Sequence, residues 1–177
     1  MSIFQGVSMQ NFDQSAESNR DELAHAIKGY QGYSSPKHRI KTDQIFRNFL
    51  LKQLNTTNKR LPQFEKLIQN LASQGNSDPL KRIHSTVKML INSLESPCYS
   101  DQAFFSKEDI SPEKLSQLYV YDLQLKDQVE ILGDELEQLD AETENLEITD
   151  VLNHLYDLTD GLNQALTERE FLIMGEC

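Results

Sequence analysis

Residues 115–146 read LSQLYVYDLQLKDQVEILGDELEQLDAETENL, and their spacing sets the architecture. Leu115, Leu118, Leu125, Val129, Leu132, Leu136, Leu139 and Leu146 recur in an unbroken 3-4 rhythm, with Asp122 and Thr143 in the two remaining slots. A strand alternates its faces every second residue and cannot use this spacing. A helix gathers all ten positions into one narrow stripe that needs a partner helix. Asp122 in such a seam is costly unless water or a basic side chain reaches it.

The same reading extends in both directions. Ser111 and Pro112 supply an N-cap and a first-turn proline for the long helix, predicted to run from Pro112 to Leu146, roughly 50 Å at ~1.5 Å per residue. Upstream, Leu80, Ile83, Val87, Leu90 and Leu94 predict a helix from Pro79 to about Leu94. A longer stretch, about His38 to Ser73, places Ile45, Phe46, Phe49, Leu50 and Leu54 on one side, then Leu61, Phe64, Leu67, Ile68 and Leu71. Pro62 lacks a backbone donor, so a kink or break is expected near Lys59–Leu61. A first helix is expected over Ala16–Lys28, ended by a breaker cluster of Gly29, Gly32, Ser34, Ser35 and Pro36. Downstream, Val151, Leu155, Leu158, Leu162, Ala165 and Leu172 form a stripe, with Thr149 or Asp150 as its cap. Residues 96–110 read as a loop crossing one end of a bundle, with Phe104 and Phe105 covering the core.

Composition agrees with helix throughout. The chain of 177 residues has no tryptophan, seven glycines and five prolines, too few turn formers for a sandwich or barrel. The predicted fold is therefore all-α: an elongated antiparallel helical bundle with a coiled-coil-like hairpin. Residues 1–14 are expected to be a flexible arm and 15–177 a single domain.

That domain divides by charge. Residues 1–97 hold 13 Lys and Arg against 8 Asp and Glu, whereas residues 98–177 hold 4 against 20, balances of +5 and −16 that make up the net −11. The basic half, 15–97, is expected to lie antiparallel beside the acidic half, 98–177, within one molecule or one oligomer. A net charge this negative opposes the approach of phosphate, so no nucleic-acid partner is expected. No apolar run approaches the ~18 residues of a membrane span, and residues 1–10 lack the pattern of a secretory signal. Cys98 and Cys177 are too far apart in sequence to suggest a metal or redox motif, which suits a cytoplasmic protein.

Chemistry-bearing motifs are sparse. His25-Ala26-Ile27-Lys28-Gly29 resembles the H-x-L-K-G signature of histidine phosphotransfer domains, which are also helical bundles. The resemblance implies that His25 accepts a phosphoryl group from an aspartate of a partner, that Lys28 neutralises it, and that Gly29 allows close approach. The alternative is a helix-terminal histidine and lysine favoured by the dipole of the C-terminus. Glu22-Leu23-Ala24-His25 is a single E-x-x-H where a di-iron bundle needs two, and Asp150 with His154 is one isolated pair, so no metal is expected. No cofactor motif occurs.

Helix-pairing surface without chemistry points to a non-catalytic protein–protein interaction protein: an adaptor, scaffold or chaperone-like subunit that self-associates. Candidate contact residues are Phe104 and Phe105, Tyr119 and Tyr121, and Phe171, Leu172, Ile173 and Met174. Phosphotransfer through His25 is the competing reading.

Overall fold

The computed structural model describes residues 9–71, 78–99, 103–139 and 148–175, and shows an all-α helical bundle. The elements are α1 (Met9–Ala26), α2 (Pro36–Leu71), α3 (Asp78–Glu95), the short α4 (Ala103–Ser106), α5 (Pro112–Leu139) and α6 (Ile148–Met174). No helix among the described residues is long and apolar enough to cross a membrane.

Four helices form a ring in which α2 borders α3 and α5, and α6 borders α3 and α5; α1 packs outside on α5. The stripe in the quoted segment faces this core, with Leu118, Asp122, Leu125, Val129, Leu132 and Leu136 all buried. On α3, Leu80, Ile83, Val87, Leu90 and Leu94 are likewise buried. On α6 the buried stripe is Leu152, Leu155, Thr159, Leu162, Leu166, Arg169 and Ile173. It has the same 3-4 rhythm as the apolar pattern but is turned on the helix, and two of its members are polar. Leu139 and Leu146, and the side chains of Leu67, Ile68 and Leu71, fall outside the part of the molecule whose packing is described.

Chain direction differs from the expected one. Tyr33, just before α2, donates its backbone N–H to the hydroxyl of Tyr119 in the second turn of α5 (2.8 Å), and Arg60 meets Glu137 (3.5 Å) towards the far ends. The basic helix α2 and the acidic helix α5 therefore run parallel. The antiparallel pairings lie inside each half: α2 with α3, and α5 with α6, where Asp122 meets Arg169 and Glu135 meets His154. The reason is the crossover after α3, which passes over the end where α2 begins and starts α5 from that same end.

Three further expectations are corrected. Of the two outcomes expected at Pro62, a kink or a break, the break does not occur: α2 is continuous there, with Pro62 exposed while Leu61 and Phe64 on either side are buried, so that their packing offsets the missing donor. Helix α1 begins at Met9 and so takes in the second half of the stretch read as an arm. The crossover, expected to be a loop, contains the short helix α4, while Phe104 and Phe105 are buried as a cover for the core, as expected of them in that position. The start of α5 follows the expected chemistry, with Ser111 capping through its hydroxyl (3.2 Å from Lys114 N) and Pro112 in the first position; α2 begins two residues earlier than expected, with Pro36, read as part of the breaker cluster, in its first position. Residues 140–147, where the long helix was expected to continue, lie outside the described residues.

Two helix-interior positions test these assignments. A Cβ on Gly133 meets nothing within 4 Å, and Pro62 is exposed. Gly133→Ala is expected to raise stability by about 1 kcal/mol and Pro62→Ala by roughly 1–2 kcal/mol, measured by urea unfolding. A loss of stability in either variant contradicts a continuous helix at that position.

Candidate functional site

The densest chemistry lies inside the bundle, at the end where α2 and α5 begin and α6 finishes. Two turns of sequence build it. After α1, Gly29 (φ +90°) and Gly32 (φ +81°) adopt a left-handed backbone open chiefly to glycine, and the chain doubles back between them. A Cβ on Gly32 would lie 2.7 Å from the Tyr119 hydroxyl, so the close approach also requires glycine there. This turn aims Tyr30 and Tyr33 into the core, where they are 4% and 0% exposed.

At the centre sits Arg169, fully buried on α6. Its Nε donates to Asp122 Oδ1 (2.6 Å), its Nη1 to the Tyr99 hydroxyl (2.7 Å), and its Nη2 to Asp43 Oδ1 (2.8 Å) and the Tyr33 hydroxyl (3.0 Å). Its guanidinium carbon lies 5.1 Å from the centre of the Phe46 ring. Asp122 is closed on its other oxygen by the hydroxyls of Tyr30 (2.8 Å) and Tyr33 (2.7 Å). Asp43 accepts from Tyr99 (3.0 Å) and, on its second oxygen, from Arg47 Nε (2.8 Å). Two cations thus face two carboxylates, and the cluster is electrically neutral.

Burial works against the charge on Arg169, but Asp122, Tyr99, Tyr33 and Asp43 outweigh it and hold its pKa well above the ordinary value. Burial pushes the Asp122 carboxyl up, against the opposing pull of Arg169, Tyr33 and Tyr30. Burial, reinforced by Asp122, raises Tyr30 and Tyr33 well above a normal phenol; burial also raises Tyr99. A general base or nucleophile needs a free lone pair and room for a substrate. In this cluster the lone pairs and protons of the ionised groups are spent on one another, so the arrangement holds helices together.

A second buried guanidinium, Arg39 at 1% exposure, works differently. Its Nε donates to Tyr33 O (2.7 Å), its Nη2 to Ser34 O (3.3 Å), and its Nη1 to the carbonyls of Phe104 and Lys107. It cross-links the 30–35 turn to the crossover, satisfying carbonyls that no helix uses.

The candidate contact residues divide accordingly. Phe104, Phe105, Tyr119 and Ile173 are buried, which places them in the core rather than on a surface open to a partner. The aromatic pair stacks edge-on with centroids 5.3 Å apart, and Tyr119 packs against Tyr33. Tyr121, Leu172 and Met174 are half-buried. Phe171 is 63% exposed, the most exposed large apolar side chain of the described residues.

His25 lies exposed in the last turn of α1, and the helix ends at Ala26. Lys28 and Gly29 therefore occupy the turn rather than the next helical turn. Gly29 is accounted for by its φ and by Ile45 Cδ1, 3.3 Å from where a Cβ would stand. His154 pairs with Glu135 (3.2 Å), not with Asp150. Among the described residues no group of three His, Cys, Asp or Glu side chains converges as metal ligands. The Cys98 thiol is exposed, and partial burial together with the neighbouring Glu170 carboxylate raises its pKa.

Two hollows lie at the surface of the described residues. One of about 230 Å³ lies between Thr56, Thr57 and Arg60 of α2 and Glu130, Gly133 and Glu137 of α5; another of about 210 Å³ lies between Arg20, Ser34 and Tyr119. Neither contains a group from the Arg169 cluster.

Comparison with protein-family models, curated proteins and solved structures finds no match for this chain.

The apolar pattern singles out Asp122 but not its partners. A signal for them exists: Arg39, Asp43 and Arg169 each fall where an apolar residue would continue a 3-4 stripe, three or four residues from Thr42, Phe46 or Leu166. In-stripe charges on three helices are what a buried ionic cluster leaves in a sequence. Nothing in the sequence tells which charge meets which.

Two measurements test the cluster. Arg169→Met strands two carboxylates in the core and is expected to cost about 3–5 kcal/mol, more than Asp122→Asn, by urea unfolding. In alkali, the unfolded chain ionises its phenols near the ordinary value of about 10, while the native chain keeps Tyr30, Tyr33 and Tyr99 protonated. The native state then binds more protons, so stability is full below pH 10 and is lost as pH rises above it. Absorbance at the tyrosinate band is expected to show these three of the six tyrosines ionising only together with loss of helix circular dichroism. Ionisation of all six with the helix intact would refute the burial.

Proposed function

We propose that this protein is a non-catalytic protein-binding protein of the cytoplasm, an adaptor, scaffold or chaperone-like subunit working through the outer faces of its helices. The single observation that carries this reading is the contrast between interior and surface. The ionised groups of the core are closed on one another around Arg169, while Phe171, Ile40 and Met89 stand exposed among polar side chains. An enzyme keeps reactive groups open to a cleft; a recognition protein keeps its reactive groups shut away and its contact groups outside. Phe171 matters most, because a phenyl ring that exposed loses about the transfer energy of an aromatic side chain until something covers it.

A photo-crosslinking residue placed at position 171 in cells is expected to capture a discrete protein, and one placed at the exposed, polar position Ser85 is not. Incubation with acetyl phosphate or a phosphorylated receiver protein is expected to leave no acid-labile phosphate on the chain. Acid-labile phosphate that disappears in His25→Ala would replace this reading with phosphotransfer.

A further inference from the structure

Two outward stripes of opposite sign run along helices that stand diagonally across the four-helix ring. On α2, Lys37, Lys41, Lys52, Lys59 and Lys66 are exposed, the last three spaced every seven residues, or two turns. Exposed Gln44, Asn48 and Asn55 stand between them, and the two carboxylates of α2, Asp43 and Glu65, are buried and half-buried. On α6, Asp150, Asp157, Asp160 and Glu168 are exposed, separated by Asn153 and Gln164, and the helix's one Lys or Arg, Arg169, is buried. Because α2 and α6 do not border one another in the ring, these stripes look outward on opposite sides of the molecule. Among the described residues the two stripes do not meet within one copy.

We infer that copies of this chain stack side by side, the lysine stripe of α2 on one molecule docking on the carboxylate stripe of α6 on the next. This deepens the proposed binding function and rests on it, naming a second copy of the chain as a partner.

The register supports that occupant. Arg169 and Asp43 touch at 2.8 Å inside the molecule, which fixes the relative height of the two antiparallel helices. Asp160 lies nine residues before Arg169 and Lys52 nine residues after Asp43, so both stand at the same height. Gln164 and Asn48, five residues from the same contact, also share a height, as do Phe171 and Lys41 at two residues. A copy displaced sideways without rotation therefore brings Asp160 to Lys52 and an amide to an amide.

The same displacement sets Phe171, 63% exposed, beside Ile40, 54% exposed and one residue from Lys41. These are the two most exposed large apolar side chains described, and they stand at one height: Phe171 on the carboxylate stripe, Ile40 on the flank of the lysine stripe, about 100° around the helix from Lys41. Exposed ion pairs alone contribute little. An apolar contact at one end with charges fixing the register supplies both adhesion and alignment. A nucleic acid fits the lysine stripe less well, since the net charge of −11 repels phosphate while the chain itself carries the complementary carboxylates. The contact joins two different faces, so it is heterologous and adds molecules in a row instead of closing a symmetric pair.

Sedimentation velocity of the full chain tests this. At low salt the weight-average sedimentation coefficient is expected to climb with concentration past that of a dimer. Raising salt from tens to hundreds of millimolar is expected to weaken association roughly tenfold or more. Lys52→Glu with Lys59→Glu, and separately Asp157→Lys with Asp160→Lys, are each expected to stay monomeric with unchanged helix content. An equimolar mixture of the two variants is expected to associate again, because each restores the face the other lost.

A wild-type chain that stays monomeric at low salt overturns the stacking, as does a closed, salt-insensitive dimer, a mixture that fails to associate, or binding of a duplex oligonucleotide to the lysine stripe in preference to a second copy. A monomer that still crosslinks another protein through position 171 leaves the proposed binding function standing, whereas acid-labile phosphate on His25 removes it.

Discussion

Burying Arg169 dictates how this molecule is put together. A guanidinium removed from water must find compensation for nearly every donor, and this one finds it on four separate parts of the chain: Asp43 on α2, Asp122 on α5, Tyr33 in the turn before α2 and Tyr99 in the crossover. Apolar stripes are tolerant of sliding by a turn, since one leucine replaces another. A forked cation between two carboxylates is not tolerant, because a displaced helix leaves a charge unpaired at a cost of several kcal/mol. The leucines make these helices associate, and Arg169 sets how they sit.

The connections at that end of the bundle are shaped to serve it. The turn between α1 and α2 carries two tyrosines inward on backbone that glycine permits, and Thr42 holds the turn through the Gly32 carbonyl (3.1 Å). Arg39 then ties the turn to the crossover through main-chain carbonyls alone. Phe104 lies under both this guanidinium and the ammonium of Lys114, at 5.9 and 5.5 Å. Loop, crossover and α6 thus meet in one polar and aromatic cluster.

The charge division has its own consequence. The basic and acidic halves do lie side by side, α2 against α5 and α3 against α6. Across that boundary a surface pair among the described residues, Arg60 with Glu137, runs in the expected sense. The buried bridge runs in the reverse sense, with the carboxylate of Asp43 from the basic half and the cation of Arg169 from the acidic half. Self-neutralisation is therefore a property of the core, while the lysines of α2 and the carboxylates of α6 remain directed at solvent. The surface keeps its polarity because each helix spends its inward face on packing.

Local pattern alone was enough for the helices and much of their inner faces. The 3-4 rhythm through Leu118, Leu125, Val129, Leu132 and Leu136, the clean stripe from Leu80 to Leu94, and the serine-proline starts all have causes within a few residues. The same pattern marked Asp122 as anomalous, to be met by water or by a basic side chain, and placed Phe104 and Phe105 over the core. Packing in three dimensions was needed to select Arg169 for Asp122, to run α2 parallel to α5, to keep Pro62 within a continuous helix, and to turn Tyr119 inward. Chain direction depends on where the crossover passes, ion pairing on which stripes meet, and aromatic burial on space left at one end of the ring. Each is a relation between residues distant in sequence, and periodicity records only what neighbours on one helix share.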